Sequence, residues 1–215
     1  RNCDWSSDVC SSDLNHEVLI GSRDAQRAQE SANEYMQAAK LAYGTMSGAI
    51  TGADNNSVAE QSDVLVLSIP YENIDSICSG LLGKVKDRCT VISPIVPMTK
   101  TDVGFEFLPL KEGKQFSHQS VQKHMKNKNK LVSAFHVISE KKLVDPNYKL
   151  DYDIFVSGDD KESIDVVNSL ITEISGLRPI FIGSGSLAYM AEIATPLLLN
   201  IMIKNKMKNP GIKIL

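Results

Sequence analysis

The chain has 215 residues, of which 42% are hydrophobic and 23% are charged, and its formal net charge is −3. These values are ordinary for one globular domain, with or without a small appendage. They exclude the strongly basic balance expected of a protein that binds nucleic acid or an anionic membrane. The four cysteines, Cys3, Cys10, Cys78 and Cys89, form no Cys-x-x-Cys pair, so neither a zinc site nor a disulfide framework is predicted, and their usage is typical of a reducing cytoplasm.

Residues 1–14 differ in composition from the rest of the chain. They contain four serines, three aspartates, two cysteines and the only tryptophan, with a repeated Ser-Ser-Asp and no sustained hydrophobic period. The pattern predicts a non-native segment that has no part in the fold. A natural polar tail is the alternative interpretation.

The first predicted strand is Val18-Leu19-Ile20, a run of apolar β-formers typical of a strand buried on both faces. Ser22 and Arg23 follow at the strand end. In a dinucleotide-binding fold the end of the second strand meets the adenine ribose, where an arginine accommodates the 2′-phosphate of NADP. Ser22 and Arg23 are therefore candidate ligands of that phosphate. Arg27, one helical turn later, is either a second cation at the site or an ordinary exposed helix residue.

Apolar runs and periodicities predict an alternation of strands and helices along the rest of the chain. The predicted strands are 18–20, 50–51, 63–70, 89–93, 130–135, 152–156 and 178–182. The predicted helices are 25–39, 56–60 with a cap at Asn56 or Ser57, 72–82, 161–174 and 186–206. This alternation predicts an α/β fold with a Rossmann-like, doubly wound and mostly parallel sheet.

The C-terminal helix is apolar nearly all round, although Glu192, Pro196 and Asn200 interrupt it. The apolar run from 187 to 203 is too short and too polar to predict a membrane span, and no secretory signal is visible. A helix of this kind packs against the sheet or against a second subunit, so burial within one chain and a homodimer both stay open.

The predicted strand ends carry small and proline-rich segments with few ionisable groups, namely Ser68–Pro70, Ser93–Pro97 and Phe135-His136. No Ser-His-Asp order, metal-ligand cluster or pair of carboxylates is present, so no catalytic acid–base residue and no metal site are predicted. Hydride transfer between two bound cofactors needs alignment and exclusion of water rather than acid–base catalysis. Structural turns explain the prolines equally well, and His136 is either a hydrogen-bonded structural residue or a functional one.

In their order and spacing, these motifs resemble the NADPH-dependent F420 reductase (F420H2:NADP oxidoreductase) family over residues 15–215. The motifs are His16–Arg23, Ser68–Pro70, Ser93–Pro97, Ser133–His136, Gly158–Asp160, Gly176–Pro179, Thr195–Met202 and Gly211–Lys213. The resemblance implies an oxidoreductase that transfers a hydride between NADP(H) and the deazaflavin coenzyme F420. It further implies that these small molecules are the partners, without metal, nucleic acid or membrane, in the cytoplasm.

The resemblance also implies roles for individual residues. Ser22, Arg23 and Arg27 hold the 2′-phosphate, and Ile69, Asn73 and Val96 line the path from adenine to nicotinamide. The deazaflavin pocket is shaped by Pro94, Ile95, Val96, Pro97 and His136, with Pro210 near its C-terminal wall. Asn73 departs from the family pattern, which has a histidine there.

A second departure is larger, because no first strand and no glycine-rich phosphate loop precede Val18. The sequence therefore predicts an N-terminally truncated member, with a truncated NADP-binding Rossmann domain over 15–140 and a smaller C-terminal α/β domain over 141–215. Three alternatives stay open. They are an NADP-dependent reductase of a small imine, similar to pyrroline-5-carboxylate reductases, a catalytically inactive fragment, and a nucleotide-sensing or interaction protein built on the same fold.

Overall fold

The computed structural model describes residues 16–43, 48–143, 148–208 and 210–215. The segment 1–14 lies outside the described residues. The strands are β1 (Glu17–Ser22), β2 (Ala49–Asp54), β3 (Val64–Val66), β4 (Thr90–Ser93), β5 (Met98–Lys100), β6 (Phe105–Phe107), β7 (Leu131–Ser133), β8 (Tyr152–Gly158) and β9 (Leu177–Gly183). The α-helices are α1 (Ala25–Tyr43), α2 (Asn55–Gln61), α3 (Ile74–Leu81), α4 (Leu108–Glu112), α5 (Ser117–Gln122), α6 (Glu140–Leu143), α7 (Lys161–Glu173) and α8 (Ala188–Lys204).

The described strands form three sheets. One has five strands in the order β3-β4-β7-β8-β9, a second pairs β1 with β2, and a third is the hairpin β5-β6. Within the five-stranded sheet all pairs are parallel except β7 with β8. The α/β class and the mostly parallel sheet are therefore as predicted. Strands β8 and β9, which lie after residue 140, belong to the same sheet as β7. The predicted domain boundary at 140/141 stays a prediction.

The β1-β2 unit is a parallel pair with helix α1 packed against it. The pair is in register from Glu17 with Ala49 to Ser22 with Asp54. The backbone of α1 comes so close to β2 that a Cβ built on Gly52 would lie 2.2 Å from the carbonyl carbon of Ala28. Only glycine allows this approach without moving the helix.

Strands β1 and β2 are parallel, and helix α2 leads from the end of β2 to the start of β3. The predicted cap of this helix at Asn56 or Ser57 is wrong. Asp54 is the N-cap, and its Oδ1 accepts the backbone N–H groups of Asn56 and Ser57 at 3.0 and 3.1 Å. The observed cap lies two positions before Asn56, because the carboxylate must lie before the first turn to reach two amides inside it.

The apolar core divides into two clusters on opposite sides of β3. On one side Leu65 and Leu67 pack with α2 and α3, and on the other Val64 packs with the β7-β8 region and α7. The strand predicted over 63–70 is shorter than expected, because the ladder covers only Val64–Val66 and the chain then turns away before Pro70. Leu67 still donates its backbone N–H to the carbonyl of Ile92 at 2.9 Å.

The helical run Gly185–Lys204 is long and apolar enough, by length and composition alone, to cross a membrane, with a mean hydropathy of 1.5. It begins one residue before the predicted helix 186–206, with a 3₁₀ turn over Gly185–Leu187, and ends two residues earlier than predicted. Within the fold this helix buries Ala188, Ala191, Glu192 and Ala194. A fully buried and hydrogen-bonded glutamate is typical of a helix packed inside a protein.

Candidate functional site

The end of β1 presents cationic side chains at the beginning of helix α1. Ser22 is half-buried at the strand end, and Arg23 and Arg27 are exposed. Asp24 caps the helix, since its Oδ1 accepts the backbone N–H groups of Gln26 at 2.9 Å and of Arg27 at 3.3 Å. Ser22 Oγ accepts the N–H of Asp24 at 3.3 Å, which closes the turn between strand and helix.

This corner has the charge expected of an anion site. Neither the Arg23 nor the Arg27 guanidinium forms an ion pair with any of the described residues. Both lie in the first turn of a 19-residue helix or just before it, where the helix dipole also favours an anion. The Asp24 carboxylate opposes this charge in part. Ser22 and Arg23 thus lie at the end of β1 and Arg27 lies in the first turn of α1, and their role as phosphate ligands stays a prediction.

The next candidate residues follow β3. Ile69 is half-buried after the strand, and Asn73 is exposed at the N-terminal end of α3, where its side chain makes no cap hydrogen bond. The hydroxyl of Tyr71, between them, donates to the carbonyl of Gln115 at 2.6 Å, which fixes this loop against the segment before α5.

The proline-rich segment after β4 is mostly buried. Pro94, Ile95 and Pro97 have little contact with solvent, and only Val96 is half-buried. Ile95 belongs to the core cluster that also contains Leu65 and Leu67. A ligand resting on this segment would therefore touch Val96, and the other three residues would support it from behind.

The end of β7 is a strained turn. Phe135 has φ of +67°, which is unusual for a residue with a bulky side chain. The following residue, His136, is buried, and its carbonyl accepts the hydroxyl of Thr195 on α8 at 2.7 Å. Helix α8 thus helps to hold the β7 end in its unusual conformation.

Neither ring nitrogen of His136 has a hydrogen-bond partner among the described residues. Burial, with a smaller contribution from the neighbouring His118, lowers the pKa of His136 to about 3. His136 is therefore neutral at physiological pH, as expected for a buried imidazole without a counter-charge. It lies inside the fold rather than on an open surface.

Three serines form a row across the sheet beside these histidines. Ser93, Ser133 and Ser157 are paired through the ladders of β4, β7 and β8, and all three are fully buried. Ser133 Oγ lies 2.9 Å from Nδ1 of His118 on α5. The Oγ atoms of Ser93 and Ser157 lack partners within the described chain.

Burial lowers the pKa of His118 to about 4, while the nearby Asp159 carboxylate opposes this shift. Two buried neutral imidazoles and the serine row form a polar patch inside an otherwise apolar sheet. Sequence reasoning identified His136 but missed His118, since a histidine in a short polar helix carries no periodic signal.

A buried glutamate on α8, Glu192, holds the first residues of α5 beside this polar patch. Glu192 accepts the backbone N–H of Ser117 at 2.9 Å and that of His118 at 3.1 Å, and its Oε1 lies 2.7 Å from Ser117 Oγ. Burial raises the pKa of Glu192 to about 7, partly offset by these hydrogen bonds. The sequence showed this residue only as an interruption of an apolar run.

Pro210 is half-buried in the C-terminal segment beside β8. The next residue, Gly211, packs so closely on the Tyr152 ring that a Cβ there would lie 1.9 Å from the ring. Asp153 then donates its N–H to the carbonyl of Ile212 at 2.8 Å. These contacts place Pro210 along β8.

A glycine-rich turn does occur in the chain, but after β9 and not before β1. Gly183-Ser184-Gly185-Ser186-Leu187-Ala188 follows a strand and opens helix α8, which matches the G-x-G-x-x-A pattern of dinucleotide-binding turns. Here the backbone N–H of Gly185 is bound by the carboxylate of Asp159 at 3.2 Å. A carboxylate at that place opposes a phosphate, so this turn does not fit the pyrophosphate of a dinucleotide.

Among the described residues, no group of three or more His, Cys, Asp or Glu side chains is placed to hold a metal ion. The candidate site has two parts. One is the exposed cationic corner at the end of β1, and the other is the buried wall formed by Pro94–Pro97 and His136 at the ends of β4 and β7.

Comparisons with known proteins agree on one family. The family model described as "NADP oxidoreductase coenzyme F420-dependent" matches residues 7–97. The match takes in part of the segment 1–14, whose origin stays a prediction. An F420-dependent NADP reductase from Methanocaldococcus jannaschii is 32% identical over 200 residues, which cover 93% of this chain and 88% of the relative. One from Methanothermobacter thermautotrophicus is 30% identical over 92% of this chain and 84% of the relative.

Solved structures share the fold. A crystal structure assigned provisionally as an F420-dependent NADP-reductase from Arthrobacter sp. FB24 superposes with a TM-score of 0.73 at 19% identity, covering 98% of this chain and 93% of that one. Prephenate dehydrogenase from Aquifex aeolicus superposes with a TM-score of 0.57 at 11% identity, over 86% of this chain and 58% of that one. At these identities the likeness establishes a dehydrogenase-like α/β fold.

Proposed function

The chain belongs to the family of coenzyme F420-dependent NADP oxidoreductases, and from this we propose that it transfers a hydride between NADP(H) and coenzyme F420. The observation that carries the proposal is the 32% identity to an F420-dependent NADP reductase over nearly the whole chain. The cationic corner at the end of β1 supports it independently, because that is where an NADP-specific Rossmann fold binds the 2′-phosphate.

The residues at β1 fit an NADP phosphate. Arg23 and Arg27 offer exposed guanidinium groups, which bind phosphate by paired N–H donors, and Ser22 offers a hydroxyl. The first turn of α1 adds its dipole. We assign the three residues to the 2′-phosphate, with Ile69 and Asn73 along the nucleotide after β3.

The residues assigned to the deazaflavin ring of F420 form a wall for that ring rather than an open pocket around it. Val96 can touch a ring laid over the β4 end, whereas Pro94, Ile95, Pro97 and His136 support it from within. Such a wall excludes water and holds a fixed shape, which is what alignment of two flat rings requires. Pro210 is assigned to the C-terminal side of the same site.

When bound, the two cofactors supply the hydride chemistry themselves. The chain's own residues bind, orient and shield them. The two histidines closest to the wall are neutral because burial keeps the pKa values of both low, so each carries one ring proton and no positive charge at physiological pH.

Spectrophotometry of the purified chain with NADPH and coenzyme F420 tests the proposal. We expect oxidation of NADPH that depends on F420, and no oxidation when pyrroline-5-carboxylate replaces it. Turnover with pyrroline-5-carboxylate alone would favour the imine reductase. Binding of both cofactors without turnover would favour a sensor or an inactive fragment.

We also place the protein in the cytoplasm as a homodimer. The described cysteines, Cys78 and Cys89, are free and buried, which suits a reducing compartment. Helix α8 leaves Met190 and Leu197 exposed, and such apolar side chains are commonly covered by a second subunit. Light scattering coupled to size-exclusion chromatography tests the dimer, and the single substitution Leu197→Glu is expected to give monomers.

A further inference from the structure

A buried lysine and two tyrosines form a cluster that the proposed function does not use. Lys142 on α6 is only 4% exposed, which is rare for a lysine. Its Nζ donates a hydrogen bond to the hydroxyl of Tyr152, the first residue of β8. The same nitrogen lies 4.0 Å from the ring centre of Tyr152 and 5.0 Å from that of Tyr148. These three residues are called the Lys–Tyr cluster below.

No carboxylate among the described residues forms an ion pair with Lys142. The two described aspartates at or beside the start of β8 are paired elsewhere, Asp151 with Lys213 and Asp153 with Arg178. Buried charges in proteins are normally paired, because taking an ion out of water is costly. The cluster therefore has the composition of a site that receives its anion from a ligand.

The polar groups of the cluster form a chain from the interior to the surface. An ammonium can only donate, so the Tyr152 oxygen accepts from Lys142, and the Tyr152 hydrogen can then go to the Tyr148 oxygen at 3.0 Å. Tyr148 is 41% exposed, and its own hydrogen is available to a ligand. Hydrogen bonding to Tyr152 and Lys142 lowers the pKa of Tyr148, whereas burial raises the pKa of Tyr152. Tyr148 is therefore the stronger donor of the two, polarised by the ammonium behind it.

The Lys–Tyr cluster lies at the side of the sheet where β7 ends. Strand β8 is antiparallel to β7, with Ser157 opposite Ser133. Because strands rise about 3.3 Å per residue, Tyr152 lies roughly 16 Å along β8 from Ser157 and extends past the end of β7. Gly211 packs on the Tyr152 ring, so Pro210, assigned to the C-terminal side of the site, lies next to the cluster. The cluster is therefore placed beyond the wall, on the side of the C-terminal segment.

Coenzyme F420 carries a flexible anionic tail on its flat ring, made of a ribityl chain, a phosphodiester and glutamate carboxylates. We propose that the Tyr148 hydroxyl, backed by Tyr152 and Lys142, binds an anionic group of this tail while the ring lies on the wall. Tyr148 touches the anion, and Lys142 is a positioning residue that acts through Tyr152 and through its charge. The identity of the ligand rests on the proposed function, whereas the demand for an anion rests on the cluster itself.

Titrations on the full chain, followed by deazaflavin fluorescence, test the proposal with two ligands. One is coenzyme F420, and the other is the same deazaflavin with its ribityl chain but without the phosphodiester and the glutamates. We expect Tyr148→Phe to raise the Kd for F420 about fivefold or more, and Lys142→Met to raise it about tenfold or more. Neither substitution should change the Kd for the ligand without the anionic tail, because that ligand has no group for the cluster to bind.

Tyr189→Phe and Lys161→Met are the matched controls, because Tyr189 is 38% exposed on α8 and Lys161 is exposed on α7. Both should bind the two ligands as the parent does. Tyr148→Phe removes only an exposed hydroxyl, so it decides the question even where the buried Lys142→Met fails to fold. An unchanged Kd for F420 in Tyr148→Phe would overturn the proposal. So would an equal rise for both ligands, or no binding of F420 by the folded chain.

NADPH oxidation in the same samples separates this proposal from the proposed function. Turnover with both deazaflavins supports hydride transfer whatever the cluster does. Binding of both without turnover would contradict hydride transfer, and the difference between the two Kd values would still decide whether Tyr148 binds the tail.

Discussion

Glu192 Oε1 lies 2.7 Å from Ser117 Oγ, and the same serine oxygen lies 2.5 Å from the carbonyl oxygen of Ile95. The hydroxyl has one hydrogen, and a carbonyl can only accept. If Ser117 donates to Ile95, then Glu192 must donate to Ser117, which requires a protonated carboxyl. This geometry agrees with the raised pKa of the buried Glu192. The contact joins α8 to α5 next to the wall formed by Pro94–Pro97.

The first prediction concerns the pH dependence of this contact. The folded pKa of Glu192 is about 7, above the ordinary 4.5, so the folded state binds more protons than the unfolded state between these values. The Glu192 contribution to stability is therefore full below about pH 4.5 and is lost as pH rises through 7. Over that range we expect a loss on the order of 3 kcal/mol.

Glu192→Gln isolates this effect, because glutamine has the shape of the protonated acid and does not titrate. Urea unfolding from pH 5 to 8 should show the variant gaining stability relative to the parent as pH rises. The buried histidines act in the opposite sense, but they are present in both proteins and cancel in the difference. A stability difference that stays constant across this range would show that Glu192 is not protonated in the fold.

The second prediction concerns the cationic corner at β1. Arg23→Ala is expected to weaken NADPH binding by about tenfold or more while leaving NADH binding nearly unchanged, because only NADPH carries the 2′-phosphate. Arg88→Ala is a matched control, since Arg88 is exposed and lies before the first residue of β4, in a different sheet from β1. Fluorescence titration of both coenzymes measures the effect. Equal losses for NADPH and NADH would contradict the assignment.

The third prediction concerns a carboxylate that fixes the C-terminus. Asp153 is fully buried and accepts Nε and Nη2 of Arg178, both at 2.7 Å, and the backbone N–H of Ile214 at 2.6 Å. We expect Asp153→Ala to lower the free energy of unfolding by about 2 kcal/mol, because the amide of Ile214 loses its acceptor while the half-exposed Arg178 can turn to water.

Asp165→Ala is the control for this substitution. Asp165 forms an exposed ion pair with Lys161 on α7, so its loss should change stability by less than about 0.5 kcal/mol. Hydrogen bonding to Arg178 lowers the pKa of Asp153, and its contribution is therefore present at neutral pH and lost in acid. Urea unfolding at pH 7 measures both variants, and equal effects would contradict the role given to Asp153.

Much of the fold follows from local sequence. The apolar runs at β4 and β9 and the periodic pattern of α7 predict these elements nearly to the residue, because each is determined by its own side chains. The hairpin β5-β6 was missed, since its two strands have only three residues each and depend on each other for pairing. Helix α5 was missed for a similar reason, because its amides are bound by Glu192, 75 residues away.

The candidate site also has one part that follows from local sequence and another that depends on distant elements. Ser22 and Arg23 could be found from sequence because a strand end followed by a helix start is a local feature. The burial of Pro94, Ile95 and His136 could not, since it depends on how α5 and α8 cover the ends of β4 and β7.

The last prediction uses the two cysteines in the core as reporters. Cys78 on α3 and Cys89 before β4 are almost fully buried in the core cluster that contains Leu65 and Leu67. Burial raises the pKa of Cys78 to about 12 and that of Cys89 to about 11, so almost no reactive thiolate is present at pH 8. Both thiols should therefore resist N-ethylmaleimide in the folded state and react on unfolding in urea.

Val103→Cys supplies an exposed thiol as a control that should react at once, and peptide mapping by mass spectrometry follows each site. Labelling of Cys78 as fast as the introduced cysteine would show that the core beneath α3 is open to solvent.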